Sequence, residues 1–182
     1  MSSMVANAQN AVNEGDSGVM VWITGLAGSG KTRLAALLEA TLVNEGVTVA
    51  RVDGDDFRKF HVPHLGYSLT DRRECATRLT QHCSHVSRAH AVTIVATISL
   101  FHDIHDMNRQ LHPRYLEVLL DVGETTLRRR RPLPEAEAPS WVGAGQAAEW
   151  PRRPHLRLRN EVEDDLPLNI QAMRAHLAKH LV

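Results

Sequence analysis

The sequence Gly25-Leu26-Ala27-Gly28-Ser29-Gly30-Lys31-Thr32 follows the apolar stretch Val19 to Thr24 and precedes a helix-like stretch, and this succession predicts a strand–loop–helix unit. Glycines allow the backbone N–H groups of such a loop to turn inward around phosphate oxygens. The helix that follows points the positive end of its dipole at the same anion. A lysine then reaches the β- and γ-phosphates, and a threonine hydroxyl binds magnesium. The pattern therefore predicts an ATP-binding loop with the ligand residues Gly25, Gly28, Ser29, Gly30, Lys31 and Thr32.

Apolar runs alternate with helix-like stretches along most of the chain. The stretch Thr32 to Asn44 carries leucines at helical spacing and stops before Gly46, and Val47 to Val52 reads as a second strand. We predict an α/β P-loop NTPase fold, in which a parallel sheet of about five strands is flanked by helices and carries a mobile lid. The other predicted elements are helices at 69–90, 104–111, 124–131 and 168–181, and strands at 92–98, 115–122 and 155–159.

Residues 132–154 break this alternation, because they contain five of the eight prolines together with Gly143, Gly145 and two tryptophans. An irregular segment of this length in a small domain is usually a functional lid or a binding loop. The first 17 residues are small and polar, so they read as a flexible N-terminal tail rather than a signal peptide. We therefore predict a single P-loop kinase domain over residues 18–182, with its lid at about 132–154.

The composition argues against several classes of protein. The 182 residues include 21 Lys or Arg and 21 Asp or Glu, so the formal net charge is zero, which disfavours a protein that coats nucleic acid. The apolar runs are strand-sized, and none of them predicts a membrane span. Two cysteines, Cys75 and Cys83, cannot form a disulfide framework and favour a reducing compartment. We expect a cytoplasmic protein without a nucleic-acid partner and without a membrane association.

A group of carboxylates follows the second predicted strand, in the sequence Asp53-Gly54-Asp55-Asp56. The carboxyl ends of parallel strands form the ligand side of such a sheet. Phosphoryl transfer needs magnesium ligands and a group that accepts the proton of the attacking hydroxyl. We predict Lys31, Asp53 and Asp55 as catalytic residues, with Thr32 and Asp53 holding Mg²⁺. The alternative interpretation is an acidic helix N-terminus, where aspartates cap free N–H groups.

Together with the loop, four further stretches resemble the adenylyl-sulfate kinase family in their order and spacing. This family phosphorylates the ribose 3′-hydroxyl of adenosine 5′-phosphosulfate with MgATP. The resemblance therefore implies an ATP-dependent kinase that acts on a hydroxyl of a 5′-substituted nucleotide. Members of the family often form homodimers, so a homodimer is the assembly to test, although no residue of this sequence demonstrates an interface. The matching stretches are 22–32 (the loop), 52–58 (the family's LDGDxxR), 65–72 (LGFSxxDR), 98–99 (the start of ISP) and 115–118 (Tyr-x-Glu-Val).

The resemblance also implies which side chains bind the acceptor nucleotide. Arg58 and Arg72 would hold the acceptor anions, and Ser99 would line the same site. Tyr67 and Trp141 stand where the family sandwiches the acceptor base, and stacking of this kind tolerates different bases. The alternative for Trp141 is a residue that merely packs its own loop against the protein.

The acceptor half of the pattern departs from the family, whereas the ATP half is intact. Cys75 replaces an amide that contacts the acceptor in the family. The stretch Ile98 to Arg109 resembles a branch in which at least one relative acts on a cytidine diphosphoramidate. We predict Arg109 as a further acceptor-binding residue, with the solvated face of a helix as its alternative. A cytidine diphosphoramidate-type or other non-sulfate nucleotide kinase, and a nucleotide-binding module without catalysis, stay open as alternative functions.

An arginine run, Arg128 to Arg131, stands at the base of the predicted lid. In P-loop kinases an arginine at this place often clamps phosphates, and we predict Arg129 as an ATP-binding residue. A nucleic-acid patch and a solvated helix end are the alternatives. The pairs His82-Cys83-x-His85 and His102-x-x-His105 have helical ligand spacing, but neither carries a full set of metal ligands.

Overall fold

The computed structural model describes residues 18–132 and 134–181. The predicted N-terminal tail, residues 1–17, lies outside the described residues. Among the helices of the described part, none has the length and apolar character needed to cross a membrane. The strands are β1 (Val19–Thr24), β2 (Val49–Asp53), β3 (Val92–Ala96), β4 (Tyr115–Leu120) and β5 (Leu156–Leu158). The helices are α1 (Lys31–Asn44), α2 (Gly54–His61), α3 (Leu69–Val86), α4 (His102–Leu111), α5 (Glu124–Arg130) and α6 (Asp165–Leu177), with a 3-10 helix at Glu135–Ser140.

The five strands form one parallel sheet in the order β2-β3-β1-β4-β5. From β1 the chain first moves to one side of the sheet, through β2 and β3, and then to the other side, through β4 and β5. A ligand crevice forms where the strand order reverses in this way, outside the carboxyl ends of the strands. The sheet confirms the predicted fold class, and the loop that follows β1 lies at this crevice.

The core lies in two layers, one on each face of the sheet. Side chains alternate along β1, so Val21 faces one layer and Trp22 faces the other. Leu38 of α1 and Met173 of α6 pack in the first layer, and Leu79 of α3 packs in the second. Burial of each such side chain stabilises the fold by about 1.5 to 3 kcal/mol. The sheet is therefore a rigid base for the loops at its carboxyl edge.

The structure differs from the predicted elements at several ends. β2 begins at Val49 rather than Val47, because the Val47 N–H group donates to the Leu42 carbonyl and closes the end of α1. α3 ends at Val86 rather than residue 90. Its termination has a local cause, since the ring of His90 lies 3.0 Å from the Val86 carbonyl oxygen, which a longer helix would use as a backbone acceptor.

The segment 132–154 is less irregular than its composition predicts. Besides the 3-10 helix, it contains a parallel bridge between Val142 and Gln146. Its far end is anchored to the loop between β3 and α4, because the Glu149 N–H group donates to the Leu100 carbonyl at 3.1 Å. Its role as a lid stays a prediction.

Candidate functional site

The loop of residues 25–32 leaves β1 and enters α1. Gly25, Gly28 and Gly30 have φ angles of 150°, 83° and 94°, which side chains disfavour. A Cβ atom on Gly30 would lie 2.3 Å from the side-chain nitrogen of Asn160. That buried nitrogen donates to the Ser29 carbonyl at 2.7 Å. The loop therefore owes its shape to its glycines and to a contact from the chain beyond β5.

Lys31 is held in place inside this loop. Its Nζ atom donates to the Leu26 carbonyl at 2.9 Å. Burial lowers the pKa of Lys31 to about 8, the charges of Asp55 and Asp53 act in the opposite direction, and Arg131 adds to the lowering. A phosphate group beside the ammonium would favour its charged form. The lysine is thus prepared for an anionic ligand.

Asp53 is the last residue of β2 and the N-cap of α2. Its Oδ1 atom accepts from the Asp55 N–H group at 2.9 Å, and its Oδ2 atom accepts from the Thr32 hydroxyl at 2.7 Å. Gly54 permits this arrangement, since a Cβ atom there would lie 2.6 Å from the Thr97 hydroxyl. The interpretation of Asp53 as part of a helix N-terminus is therefore correct. The same carboxylate also contacts Thr32, the last residue of the loop of residues 25–32.

A cavity of about 300 Å³ lies in front of the loop, and we call it the loop cavity. It brings the predicted catalytic residues together with the predicted magnesium ligands. Their carboxylate, hydroxyl and ammonium groups suit a triphosphate with a hard cation. Its wall contains Ala27, Gly28, Gly30, Lys31, Thr32, Arg33, Asp53, Asp55, Ala96, Thr97, Ile98 and Arg131.

A larger cavity of about 690 Å³ adjoins it, and we call it the arginine–aromatic cavity. The guanidinium carbons of Arg58 and Arg72 lie 5.1 and 5.0 Å from the ring centroid of Tyr67. Arg131 stacks in the same way on Trp141, at 4.9 Å. Planar rings and guanidinium groups suit a base and its anionic substituents.

The two cavities share part of their walls. Asp55 and Arg131 line both of them, as do Ala27 and Ile98. A group bound at the loop and a group bound among the aromatic rings would therefore meet at one carboxylate and one guanidinium.

Hydrogen bonds connect the two aromatic sides of the larger cavity. Arg72 donates through Nε to the Tyr67 carbonyl at 3.1 Å and through a terminal nitrogen to the Ser140 carbonyl at 2.8 Å. Gln146 also donates to the Tyr67 carbonyl, at 2.9 Å. Burial and the neighbouring Arg58 lower the pKa of Arg72. The segment 132–154 is thus tied to the start of α3 by the residues that line the cavity.

Ser99 lies in the loop after β3, beside the arginine–aromatic cavity rather than in its wall, with a φ of 22°, the only non-glycine φ above zero among the described residues. Its hydroxyl lies 2.8 Å from that of Thr97. A small recess of about 40 Å³ places Ser99 beside Cys75, Arg58 and Arg72. Backbone strain of this kind concentrates at functional sites, where the surrounding structure holds it.

Two predicted residues lie elsewhere. Arg109 lines neither cavity, because its guanidinium donates to the buried Glu117 on β4 at 2.5 Å and to the Arg153 carbonyl. Arg129 also lines neither cavity, and it is exposed on α5. Arg131, directly after that helix, lines both cavities instead.

Sequence reasoning missed three residues that contribute to the site. Asn160 donates to the Ser29 carbonyl of the loop and Gln146 donates to the Tyr67 carbonyl, although neither belongs to a recognisable motif. Arg131 belongs to a run of four arginines, and only the end of α5 distinguishes it from its neighbours. A signal existed for Arg131 alone, since Pro132 marks the place where a helix is expected to end.

The parallel sheet, the loop after β1 and the facing carboxylates define a P-loop kinase. The sequence pattern of the family described as adenylylsulphate kinase matches residues 17–134. The chain belongs to this family of ATP-dependent phosphotransferases, which confirms the resemblance, the enzyme class and ATP as co-substrate.

Relatives and solved structures agree with this assignment. Adenylyl-sulfate kinase from Enterobacter sp. (strain 638) is 32% identical over 162 residues, which cover 85% of this chain and 81% of that one. The enzyme of the same name from Staphylococcus epidermidis is 27% identical over 98% of this chain and 93% of its own. The APS kinase CysC of Mycobacterium tuberculosis, solved in complex with AMPPNP and APS, has a TM-score of 0.80 at 28% identity, covering 89% of this chain and 98% of that one.

Proposed function

We propose that the chain transfers the γ-phosphate of MgATP to the ribose 3′-hydroxyl of a 5′-substituted nucleotide. Adenosine 5′-phosphosulfate is the first candidate acceptor. The observation that carries the proposal is the shared wall of the two cavities, in which Asp55 and Arg131 face the loop and the aromatic rings alike. A direct in-line transfer needs this adjacency and no phosphorylated enzyme intermediate.

Magnesium fits the residues beside the loop. The Thr32 hydroxyl and the Asp53 carboxylate lie 2.7 Å apart, and both are oxygen ligands of the kind that Mg²⁺ prefers. Mg²⁺ usually binds one or two protein oxygens and completes its shell with phosphates and water. When bound, it would neutralise charge on the β- and γ-phosphates.

The remaining roles follow from the placement of each group. Lys31 would balance the charge on the transferred phosphoryl group. The N–H groups of the loop would bind the other phosphates of ATP. Asp55 would accept the proton of the acceptor hydroxyl, since it lies on both walls. A depression of about 180 Å³ adjoins Gly30 on another side, where Arg130 and Asn160 line it, and we assign it to the nucleoside of ATP.

The arginine–aromatic cavity would take the acceptor. Tyr67 and Trp141 offer stacking surfaces for a base, and Arg58 and Arg72 offer planar cations for a 5′-phosphate and its substituent. A cytidine diphosphoramidate-type acceptor is the second candidate. Cys75 counts against adenosine 5′-phosphosulfate as the acceptor, because a buried thiol offers a weaker hydrogen bond at the recess than the amide that the family uses there.

The first test is coupled ADP release from MgATP with a panel of acceptors. The panel contains adenosine 5′-phosphosulfate, a cytidine diphosphoramidate, AMP, CMP and gluconate. Saturable turnover with one 5′-substituted nucleotide, and a product phosphorylated at the 3′-hydroxyl, would establish the proposal. Turnover with gluconate alone would overturn it.

The assignment of Arg131 gives a separate prediction. Arg131→Ala is expected to lower kcat by about 10²-fold, because the shared wall would lose its cation at the transferred phosphoryl group. Arg129→Ala is the matched control, since it removes the same charge from an exposed position two residues away. Steady-state kinetics of both variants test the assignment of Arg131. Equal losses of kcat in the two variants would contradict it.

The compartment and the assembly complete the proposal. Both cysteines, Cys75 and Cys83, are buried and unpaired, which suits a reducing cytoplasm. The homodimer stays a prediction from the resemblance, and light scattering of the purified chain would test it.

A further inference from the structure

A third cavity, of about 310 Å³, lies between α4, β4 and the chain that leads into β5. None of its residues lines the loop cavity or the arginine–aromatic cavity. Its volume lies at the lower end of the range of about 300 to 1,000 Å³ that is usual for small-molecule sites. Its lining residues are His102, His105, Asp106, Arg109, Glu117, Arg152 and Arg153.

The floor of this cavity is a neutralised ion network. Glu117 is buried on β4, and its two carboxylate oxygens contact Arg109 at 2.5 Å and His105 Nδ1 at 2.9 Å. The hydroxyl of Tyr115 also donates to this carboxylate, at 3.2 Å. Most of the hydrogen-bonding capacity of Glu117 and Arg109 is thus used within the protein.

The wall of the cavity contains two arginines, Arg152 and Arg153, whose positive charges remain available to a ligand. Arg153 contributes only its carbonyl to the described contacts, and the guanidinium of Arg152 contacts a ring nitrogen of His102 at 3.3 Å. Among the described residues, neither arginine has a carboxylate partner. His105 is 4% exposed, and its Nε2 atom is buried without a hydrogen-bond partner in the described part of the chain.

Arg152 and Arg153 follow each other in the chain and line the same cavity, and guanidinium groups without a carboxylate partner suit a tetrahedral oxyanion. An unpartnered buried ring nitrogen has a free-energy cost that a ligand hydrogen bond would remove. We propose that this cavity is a second binding site, separate from the catalytic one, for the phosphate or sulfate group of a small molecule. Arg152 and Arg153 hold the anion, and His105 supplies the inner contact in its doubly protonated form, in which Nδ1–H donates to Glu117 and Nε2–H donates to the anion.

The site would communicate with the catalytic region through Glu149. This carboxylate accepts from the His102 N–H group at 2.7 Å, at the first residue of α4, and pairs with Arg73 at 3.2 Å. Arg73 directly precedes the turn of α3 that contains Cys75 and follows Arg72 of the arginine–aromatic cavity. A ligand at Arg152 would therefore contact the same short segment that anchors residues 132–154.

Thermal unfolding of the full chain tests the site without relying on kinase activity. The measurement adds inorganic phosphate or sulfate in the presence of saturating MgAMPPNP and adenosine 5′-phosphosulfate, with chloride at equal ionic strength as the reference. We expect each oxyanion to raise Tm by roughly 2 °C or more, with saturation. Comparison of phosphate with sulfate shows which group the site prefers.

Charge-matched variants decide where the anion binds. Arg152→Ala/Arg153→Ala is expected to lose the saturable shift, while Arg88→Ala/Arg128→Ala, which removes two arginines outside the cavity, keeps it. The same shift in both double variants would overturn the proposal, as would the absence of any shift in the unmodified chain. A failure of adenosine 5′-phosphosulfate to act as acceptor would count against the proposed function and leave this comparison intact.

Discussion

Lys31→Ala is expected to lower kcat by about 10³-fold or more while the chain stays folded. The ammonium group is held between the loop and the two carboxylates, where it would balance the charge on the transferred phosphoryl group. A change of this size corresponds to about 4 kcal/mol of transition-state stabilisation. Stability should not suffer, because burial lowers the pKa of Lys31 to about 8, which shows that the fold disfavours its charge.

The control for this prediction is Lys179→Ala. Lys179 is exposed just after α6 and lines neither the loop cavity nor the arginine–aromatic cavity. Turnover, ATP affinity and Tm are measured for both variants. A Tm for Lys31→Ala within a few degrees of the unmodified chain, together with a large loss of kcat, separates catalysis from folding. An active Lys31→Ala enzyme would refute the role of the loop.

The sequence was most informative where local chemistry determines the structure. The loop of residues 25–32 needs glycine torsions, a lysine and a threonine, and no other common element uses this pattern. The strand Val19–Thr24 was predicted with its observed bounds, since a fully buried parallel strand is a continuous apolar run. Asp53 and Asp55 were predicted beside the loop because parallel strands share a carboxyl edge.

The failures concern contacts between distant parts of the chain. Arg109 resembled an acceptor ligand, but Glu117 on β4 binds its guanidinium, and nothing in the α4 sequence indicates that partner. Arg129 and Arg131 are equivalent in composition, and they differ only because α5 ends between them. Asn160 acts across 131 positions on the Ser29 carbonyl, a distance that no periodic pattern reports.

One local feature also misled the prediction of elements. Asp53 to Asp56 read as a turn of site residues, with a helix N-terminus as the alternative. The structure combines the two, since Asp53 caps α2 and accepts the Thr32 hydroxyl with its other oxygen. A carboxylate has enough acceptor positions for both contacts, so structural and functional interpretations of one residue need not compete.

Asp55→Asn is the second change with a large expected effect, a loss of about 10²- to 10⁴-fold in kcat with little change in the KM for ATP. The amide keeps the size of the side chain but cannot accept the proton of the acceptor hydroxyl. Asp56→Asn is the matched comparison, because Asp56 lines the arginine–aromatic cavity without reaching the loop cavity. Its loss should be much smaller.

The split between kinetic constants identifies the role of Asp55. If Asp55 acts as the proton acceptor, kcat falls at saturating ATP and acceptor, and the fall is similar for every acceptor that the cavity binds. If it serves mainly as a magnesium ligand, the KM for ATP rises and excess Mg²⁺ restores part of the rate. The second outcome would assign Asp55 to the metal together with Asp53. The proton acceptor would then lie outside the shared wall, because Asp55 is the only carboxylate among the residues that line both cavities.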